Sequence, residues 1–266
     1  MNLILLTPFD LALTASLIVL LALITYFSKL GITATLVIAA ARTVIQLMLI
    51  GLVLKALFAN AQLIWIAVMS LFMVMVAGYE ITARQKHRFT GLWSYSIGIS
   101  TMFISSFSIT IIALAVIIQP DPWYQPQYAI PLLGMMLGNT MNGVSLAVDR
   151  LTTSIAQNRG VIEAQLILGY SSQTAISSLL RDSIRTGMIP IINAMAAAGV
   201  VSLPGMMTGQ ILSGTAPMEA VKYQILIMFL ITASTGFSTV LAARLTARRL
   251  FDERHRMRLD RLRTLK

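Results

Sequence analysis

Residues Gly91–Ile118 read GLWSYSIGISTMFISSFSITIIALAVII, a stretch of 28 residues without a charged side chain. As a helix it would be about 42 Å long, more than the roughly 30 Å hydrocarbon core of a bilayer. The whole chain has the same character, since 57% of its residues are apolar and 11% are charged, against about 25% charged in ordinary soluble domains. Mean hydropathy is +0.80. This composition predicts an all-α polytopic membrane protein and excludes a soluble enzyme or a disordered chain.

Apolar runs of similar length recur along the chain and predict about seven transmembrane helices. One run, 30–54, contains Arg42. Because an arginine is costly at the bilayer centre, we predict an interfacial helix up to about Ala41 and a span that starts at Thr43. The seven predicted spans are Leu11–Phe27, Thr43–Phe58, Gln62–Tyr79, Gly91–Ile118, Tyr128–Val148, Gly187–Leu212 and Gln224–Leu241.

Positive charges predict the orientation of these spans. With the N-terminus outside, 18 of the 20 Lys and Arg residues fall in cytoplasmic segments, and nine of them lie in a tail at 244–266. Cytoplasmic segments carry such an excess, so we expect the N-terminus outside and the C-terminus in the cytoplasm. The same placement argues against nucleic acid as a partner. We therefore expect a single transmembrane domain over 1–266, with a cytoplasmic coupling loop at 149–185 and a basic cytoplasmic tail at 244–266.

Two ten-residue strings echo each other, Gly134-MMLGNTMN-Gly143 and Gly205-MMTGQILS-Gly214. Both begin Gly-Met-Met, have glycine at the fifth and tenth places, and have an amide at the sixth. Two interpretations are open. The glycines allow close helix packing, and the echo could also mark an inverted repeat with a binding path at its interface.

The two spans that carry these strings also hold most of the polar side chains predicted for the membrane interior. Polar groups there should face the bundle or an aqueous path. Amide and hydroxyl oxygens would be the main ligands of a metal cation on this path, with thioethers as weak contacts. The candidate path residues are Asn139, Thr140, Asn142, Asn193, Met135, Met136, Met206 and Met207.

Glu80 is the only carboxylate attached directly to the apolar run of a span. One interpretation is a helix-end ion pair with Arg84, four residues along. The other is a metal or proton role within the membrane.

The predicted cytoplasmic loop contains the sequence EAQLILG at 163–169, which predicts a short helix ended by glycine. Such a helix can dock into a groove of a partner protein, and the candidate coupling residues are Glu163, Ala164 and Gly169. The chain has no G-x-x-x-x-G-K-[ST] loop to cradle the phosphates of ATP and no metalloprotease or serine-hydrolase motif. We therefore expect a protein that is not an enzyme and has no cofactor, and whose energy would come from elsewhere.

Four strings carry a resemblance to a known family: Ile130-PLLGMMLGN-Thr140, Arg181-DSIRTGMI-Pro190, Val201-SLPGMMTG-Gln210 and Val221-KYQ-Ile225. Together they resemble the FetB-like family of ABC permeases. The 163–169 heptad is similar to the coupling loop of ABC permeases, although Gln165 replaces its second alanine and Arg181-Asp182 stands where importers have Leu-Pro. The resemblance implies an iron-exporting permease of the plasma membrane (the bacterial inner membrane), a homodimer that works with separate ATP-binding subunits.

Two other functions stay open. One is a secondary transporter or channel driven by an ion gradient, with Glu80 as a candidate proton carrier. The other is a membrane scaffold that anchors a cytoplasmic partner through its basic tail.

Overall fold

The computed structural model describes residues 7–264 of the chain, and most of them are helical. The helices are α1 (Pro8–Phe27), α2 (Thr33–Ala59), α3 (Leu63–Ala83), α4 (Trp93–Ile118), α5 (Pro126–Gln157), α6 (Arg159–Ile167), α7 (Ser172–Ala175), α8 (Ser177–Ala197), α9 (Gly205–Leu212) and α10 (Pro217–Arg249). Two short strands, β1 (His87–Phe89) and β2 (Leu262–Thr264), form an antiparallel pair. The predicted all-α class is confirmed.

Five of the described helices are long and apolar enough to cross a membrane: α1, α2, α3, α4 and α10. Helix α5 has 32 residues and contains the predicted fifth span, and α8 has 21 residues and contains part of the sixth. Both fall outside the set of helices that are long and apolar enough to cross a membrane. The multi-pass character is therefore clear, while seven spans and the outside N-terminus stay predictions.

Helices α1 and α2 belong to one compact unit. The first turn of α1 is closed by a capping box, in which the Thr7 hydroxyl accepts a hydrogen bond from the Asp10 N–H and the Asp10 carboxylate accepts one from the Thr7 N–H. The hydroxyls of Thr25 and Thr33 lie 3.0 Å apart across the turn between the helices.

The predicted break at Arg42 is wrong. Helix α2 is continuous from Thr33 to Ala59, and Arg42 lies inside it. The stretch contains no proline, so no residue removes a backbone donor or forces the chain out of the helix. The prediction gave more weight to the free-energy cost of a charge in lipid than to the tendency of the backbone to continue a helix.

The second compact unit starts at Leu63. In it, α10 packs on α5 and α8, and α3 packs on α4 and α5. The buried core along α5 includes Val144, Leu151 and Ile155. Helices α5 and α8 approach closely at Gly143 and Gly187. A Cβ on Gly187 would lie only 2.5 Å from the carbonyl oxygen of Gly143. Small residues permit such backbone contact in membrane bundles.

The predicted sixth span, Gly187–Leu212, is not one helix. Helix α8 begins ten residues earlier, at Ser177, and ends at Ala197; α9 starts only at Gly205. Between them the chain turns, with Gly199 at a φ of +82° and a bridge between Ala198 and Ser202. Glycine adopts this left-handed conformation without a steric cost. Hydropathy did not predict the turn, because the residues of the turn are themselves mostly apolar.

The segments predicted as a cytoplasmic loop and tail are also structured. Helix α5 continues past Asp149 to Gln157, and α6, α7 and the start of α8 fill the rest of 149–185. The basic tail begins inside α10, and its last described residues, Leu262–Thr264, pair with β1.

Candidate translocation path and coupling face

A cluster of buried hydroxyls joins α4, α5 and α10. Ser106 and Ser234 have their hydroxyl oxygens 2.8 Å apart, and the Thr140 hydroxyl lies 3.0 Å from that of Ser234 and 3.3 Å from that of Ser106. All three side chains are inaccessible to solvent. Their donors and acceptors satisfy one another, an arrangement that holds membrane helices together.

Helix α4 departs from regular α geometry at this cluster. Its turns Phe103–Phe107 and Ala113–Ile118 are π-helical, and Ser106 lies in the first of them. Extra residues of this kind re-aim side chains and are frequent at functional sites. The many serines and threonines of this span were visible in the sequence, but their grouping with α5 and α10 was not.

Two of the predicted path residues face the interior of the bundle. Thr140 belongs to the hydroxyl cluster, and Met136 is fully buried, with its sulfur accepting a hydrogen bond from the Thr110 hydroxyl at 3.2 Å. Neither is open to a passing ion in this arrangement.

The predicted amides lie elsewhere. Asn139 and Asn142 are exposed on α5, and Asn193 is exposed on α8. The Asn139 amide donates to the carbonyl of Met135 at 2.9 Å, and the Asn142 side-chain oxygen accepts from Arg84 at 2.7 Å. The structure therefore divides the predicted path set between a buried face and an exposed face of α5.

The methionines are divided too. Met135 is half-buried on α5, and Met206 and Met207 are half-buried on α9. Within residues 7–264, no group of three or more His, Cys, Asp or Glu side chains could hold a metal ion. A metal that passes would meet neutral oxygen and thioether groups, which bind weakly.

Glu80 lies near the C-terminal end of α3, with a carboxylate oxygen 3.9 Å from Nε of Arg84. The i, i+4 pair expected from the sequence is therefore formed. Next to it lies a cavity of about 320 Å³ lined by Arg84, Asn142 and Asp149, among others. Asp149 is itself held in place, because it accepts a hydrogen bond from the Lys86 N–H at 2.7 Å.

Helix α6 presents the predicted coupling residues. Ile162 is buried in the core and anchors the helix, while Glu163 is partly exposed and pairs with Arg159 at 2.8 Å. Gly169, at a φ of +89°, ends the helical segment and turns the chain. Beside it Ile167 and Leu168 are 86% and 76% exposed. Large apolar side chains at the tip of a polar segment are typical of a protein contact.

Three segments predicted to share the cytoplasmic side contact one another: the basic stretch at 84–88, the loop at 149–185 and the tail. The basic stretch at 84–88 contacts Asp149 through the Lys86 N–H and pairs with the tail through β1 and β2. Nδ1 of His255, in the tail, lies 2.9 Å from the Ser172 hydroxyl at the start of α7. We call the surface formed by these three segments the coupling face.

These features define a multi-pass α-helical membrane protein, and sequence comparison gives its family. The family described as "Uncharacterised protein family (UPF0014)" matches residues 8–251, and the chain belongs to this family. No solved structure matches the chain.

The family's members include proteins from bacteria and plants. The chain is 43% identical to "UPF0014 membrane protein slr1647" of Synechocystis, over 86% of this chain and 87% of the relative. It is 34% identical to "Probable iron export permease protein FetB" of Escherichia coli, over 93% of each. It is 32% identical to "Protein ALUMINUM SENSITIVE 3" of Arabidopsis thaliana, over 85% of this chain and 81% of the relative. The resemblance read from the four strings is confirmed.

Proposed function

We propose that this chain is the membrane-spanning permease subunit of an ABC-type exporter that moves iron out of the cytoplasm. ATP would be hydrolysed by a separate subunit bound at the coupling face. The observation that carries the proposal is α6 with its Gly169 turn, a short helix anchored through Ile162 whose tip exposes Ile167 and Leu168. A partner that seats on this tip would move α6 and, through it, the helix α5 that precedes it.

The exposed amides support a homodimer. Asn139 and Asn142 on α5 and Asn193 on α8 are exposed and lie within the predicted spans. Amides facing hydrocarbon are costly, so polar residues in membrane helices face a polar partner or water. A second copy facing these residues would enclose a path lined by Asn139, Asn142 and Asn193, with Met135, Met206 and Met207 at its margins. Thr140 and Met136 would then stabilise the wall behind it.

The substrate assignment rests on the relatives. The Escherichia coli relative is named as a probable iron export permease, and neutral oxygen ligands are compatible with loose binding of ferrous iron. Weak sites suit conduction, since an ion must leave as readily as it enters.

Glu80 gives less support to a transporter driven by an ion gradient. Its carboxylate lies beside Arg84 at the end of α3, an arrangement typical of a helix-end ion pair. Efflux that collapses with an uncoupler while ATP is maintained would favour that alternative.

The proposal is tested by cellular iron content in a strain that lacks the gene. Under iron excess we expect the deletion strain to accumulate iron and wild type to restore the normal content. Asn139→Leu/Asn142→Leu should fail to restore it, because both replacements remove amide oxygens from the exposed side of α5. Unchanged iron in the deletion strain would refute the substrate, and full rescue by the double variant would refute the path alone.

A further inference from the structure

A cavity of about 580 Å³ opens between the C-terminal end of α10 and the tail that follows it. The arginines that line it are Arg248, Arg249, Arg254, Arg256 and Arg261. Asp252 and Glu253 are the acidic side chains of the same wall, so positive charges exceed negative ones by three. A cavity with such an excess attracts anions.

Much of this positive charge has no partner inside the described chain. Arg256 is paired with Asp252 at 2.8 Å. The side chains of Arg248 and Arg254, by contrast, form no ion pair with any residue in 7–264, and the buried Nε of Arg249 has no acceptor there. An oxyanion in the cavity would be an acceptor for the exposed guanidinium groups of Arg248 and Arg254.

The turn that presents Arg254 and Arg256 is held in one conformation. Oδ1 of Asp252 accepts hydrogen bonds from the backbone N–H groups of Arg254 at 3.0 Å and Arg256 at 2.8 Å. The Arg256 N–H keeps the pKa of Asp252 below its ordinary value, so this carboxylate stays ionised at physiological pH. The Arg258 N–H donates to the Leu250 carbonyl and closes the turn. A site that is already shaped loses little entropy on binding.

The cavity lies where two helices of membrane-spanning length and composition end. Helix α10 ends at Arg249, and α4 begins at Trp93. The Arg249 guanidinium lies over the Trp93 ring, 4.0 Å from its centroid. Leu92, next to Trp93, is 76% exposed. Tryptophan concentrates at the headgroup level of bilayers, and Trp93 at that level would put Arg249 beside lipid phosphates.

We propose that this cavity binds the phosphate group of an anionic phospholipid. Guanidinium groups bind phosphate oxygens through paired hydrogen bonds, and basic pockets at the ends of membrane helices take up such headgroups. The exposed apolar surface of Leu92 and Trp93 beside the arginines suits a lipid, which has acyl chains, better than a free phosphate ion. The bound lipid ties the tail and the β1–β2 pair to the membrane surface, whatever the protein transports.

The test uses the full-length protein in neutral detergent, titrated with phosphatidylglycerol or with phosphatidylcholine, with bound lipid counted by native mass spectrometry. We expect preferential retention of phosphatidylglycerol. R248Q/R254Q should weaken it about 30-fold, because each arginine near an anionic headgroup contributes about 1 kcal/mol. R181Q/R185Q is the matched control, since it removes two exposed arginines from α8, outside the cavity. It should bind as wild type does.

Several results would overturn the proposal. Equal weakening in both double variants would mean a general charge effect, and unchanged binding by R248Q/R254Q would mean that the cavity is not the site. An excess of inorganic phosphate that displaces the lipid completely would identify a free phosphate as the ligand instead. If R248Q/R254Q released an ATP-binding subunit but kept its lipid, the arginines would belong to a protein contact.

Discussion

The strings Gly134–Gly143 and Gly205–Gly214 have the same residue at five of ten positions, yet the last glycine of the first string and the glycines of α9 lie in different surroundings. In the first, on α5, a Cβ on Gly143 would lie 2.7 Å from the Thr235 methyl group and 3.0 Å from the Gly187 carbonyl oxygen. In the second, at Gly205 and Gly209 on α9, a Cβ would meet nothing within 4 Å.

A repeated sequence pattern therefore does not imply repeated packing. Gly143 of α5 is needed because α8 and α10 lie against it, which supports the packing interpretation at that position, whereas a Cβ on Gly138 of the same string would meet nothing within 4 Å. The glycines of α9 have room around them. Three matched pairs of substitutions test the contrast.

The largest effect is expected for the glycines of the close approach. Gly187→Ala should lower the free energy of unfolding by about 3 kcal/mol, because overpacking is costly and the nearest atom is a backbone oxygen that cannot rotate away. Gly209→Ala should be neutral or raise stability by about 0.5 kcal/mol, since alanine is the better helix former. Thermal unfolding of the purified proteins in one detergent measures both. Equal destabilisation by Gly187→Ala and Gly209→Ala would show that the two glycines do not differ in packing.

A smaller effect is expected for the methionines at the third place of each string. Met136→Ala should cost about 2 kcal/mol, because it leaves a cavity among fully packed neighbours. Met207→Ala, at a half-buried position, should cost about 0.5 kcal/mol. The same unfolding measurement tests both variants. If Met207→Ala lowered the free energy of unfolding as much as Met136→Ala does, α9 would belong to the core.

The smallest effect concerns the hydroxyl cluster. Thr140→Val should cost about 1 kcal/mol, since interhelical hydrogen bonds in membrane proteins are of that order. Thr208→Val is the control, because its hydroxyl bonds only to the carbonyl of Pro204 one turn back, at 3.3 Å. A double variant with Ser234→Ala should show less than additive loss if Thr140 and Ser234 act through their contact. Additive losses would show that the cluster does not couple the helices.

Much of the fold could be predicted from hydropathy alone. The apolar runs located α1, α3 and α4 to within about four residues and located the middle of α10, whose two ends lie well beyond the predicted span. The glycine of EAQLILG located the end of the α6 segment. The turn at 198–204 was missed because its residues are as apolar as those of the helices around it. The β1–β2 pair was missed because strands of three residues have no periodicity to detect.

The candidate path was predicted only in part. On a helix, residues three or four apart share a face, and Asn139 lies three residues before the exposed Asn142 but four before the buried Gly143. Helical spacing alone therefore does not separate the exposed residues from the buried ones. Which residues face the bundle could not be read from the sequence, because it depends on contacts of Gly143 and Ala147 with Gly187, more than 35 residues away.

Docking of an ATP-binding subunit at α6 is tested by co-purification of such a subunit, co-expressed with the chain. Glu163→Arg breaks the exposed pair with Arg159 on α6, and the control Glu219→Arg breaks a similar exposed pair with Lys222 on α10. Gly169→Pro removes the left-handed turn that proline cannot adopt.

We expect wild type and Glu219→Arg to retain the ATP-binding subunit and to export iron. Glu163→Arg and Gly169→Pro should lose both while remaining folded and membrane-inserted, as judged by an unchanged elution profile in detergent. Full retention of the subunit and full export by both coupling variants would contradict the claim and place the docking site elsewhere.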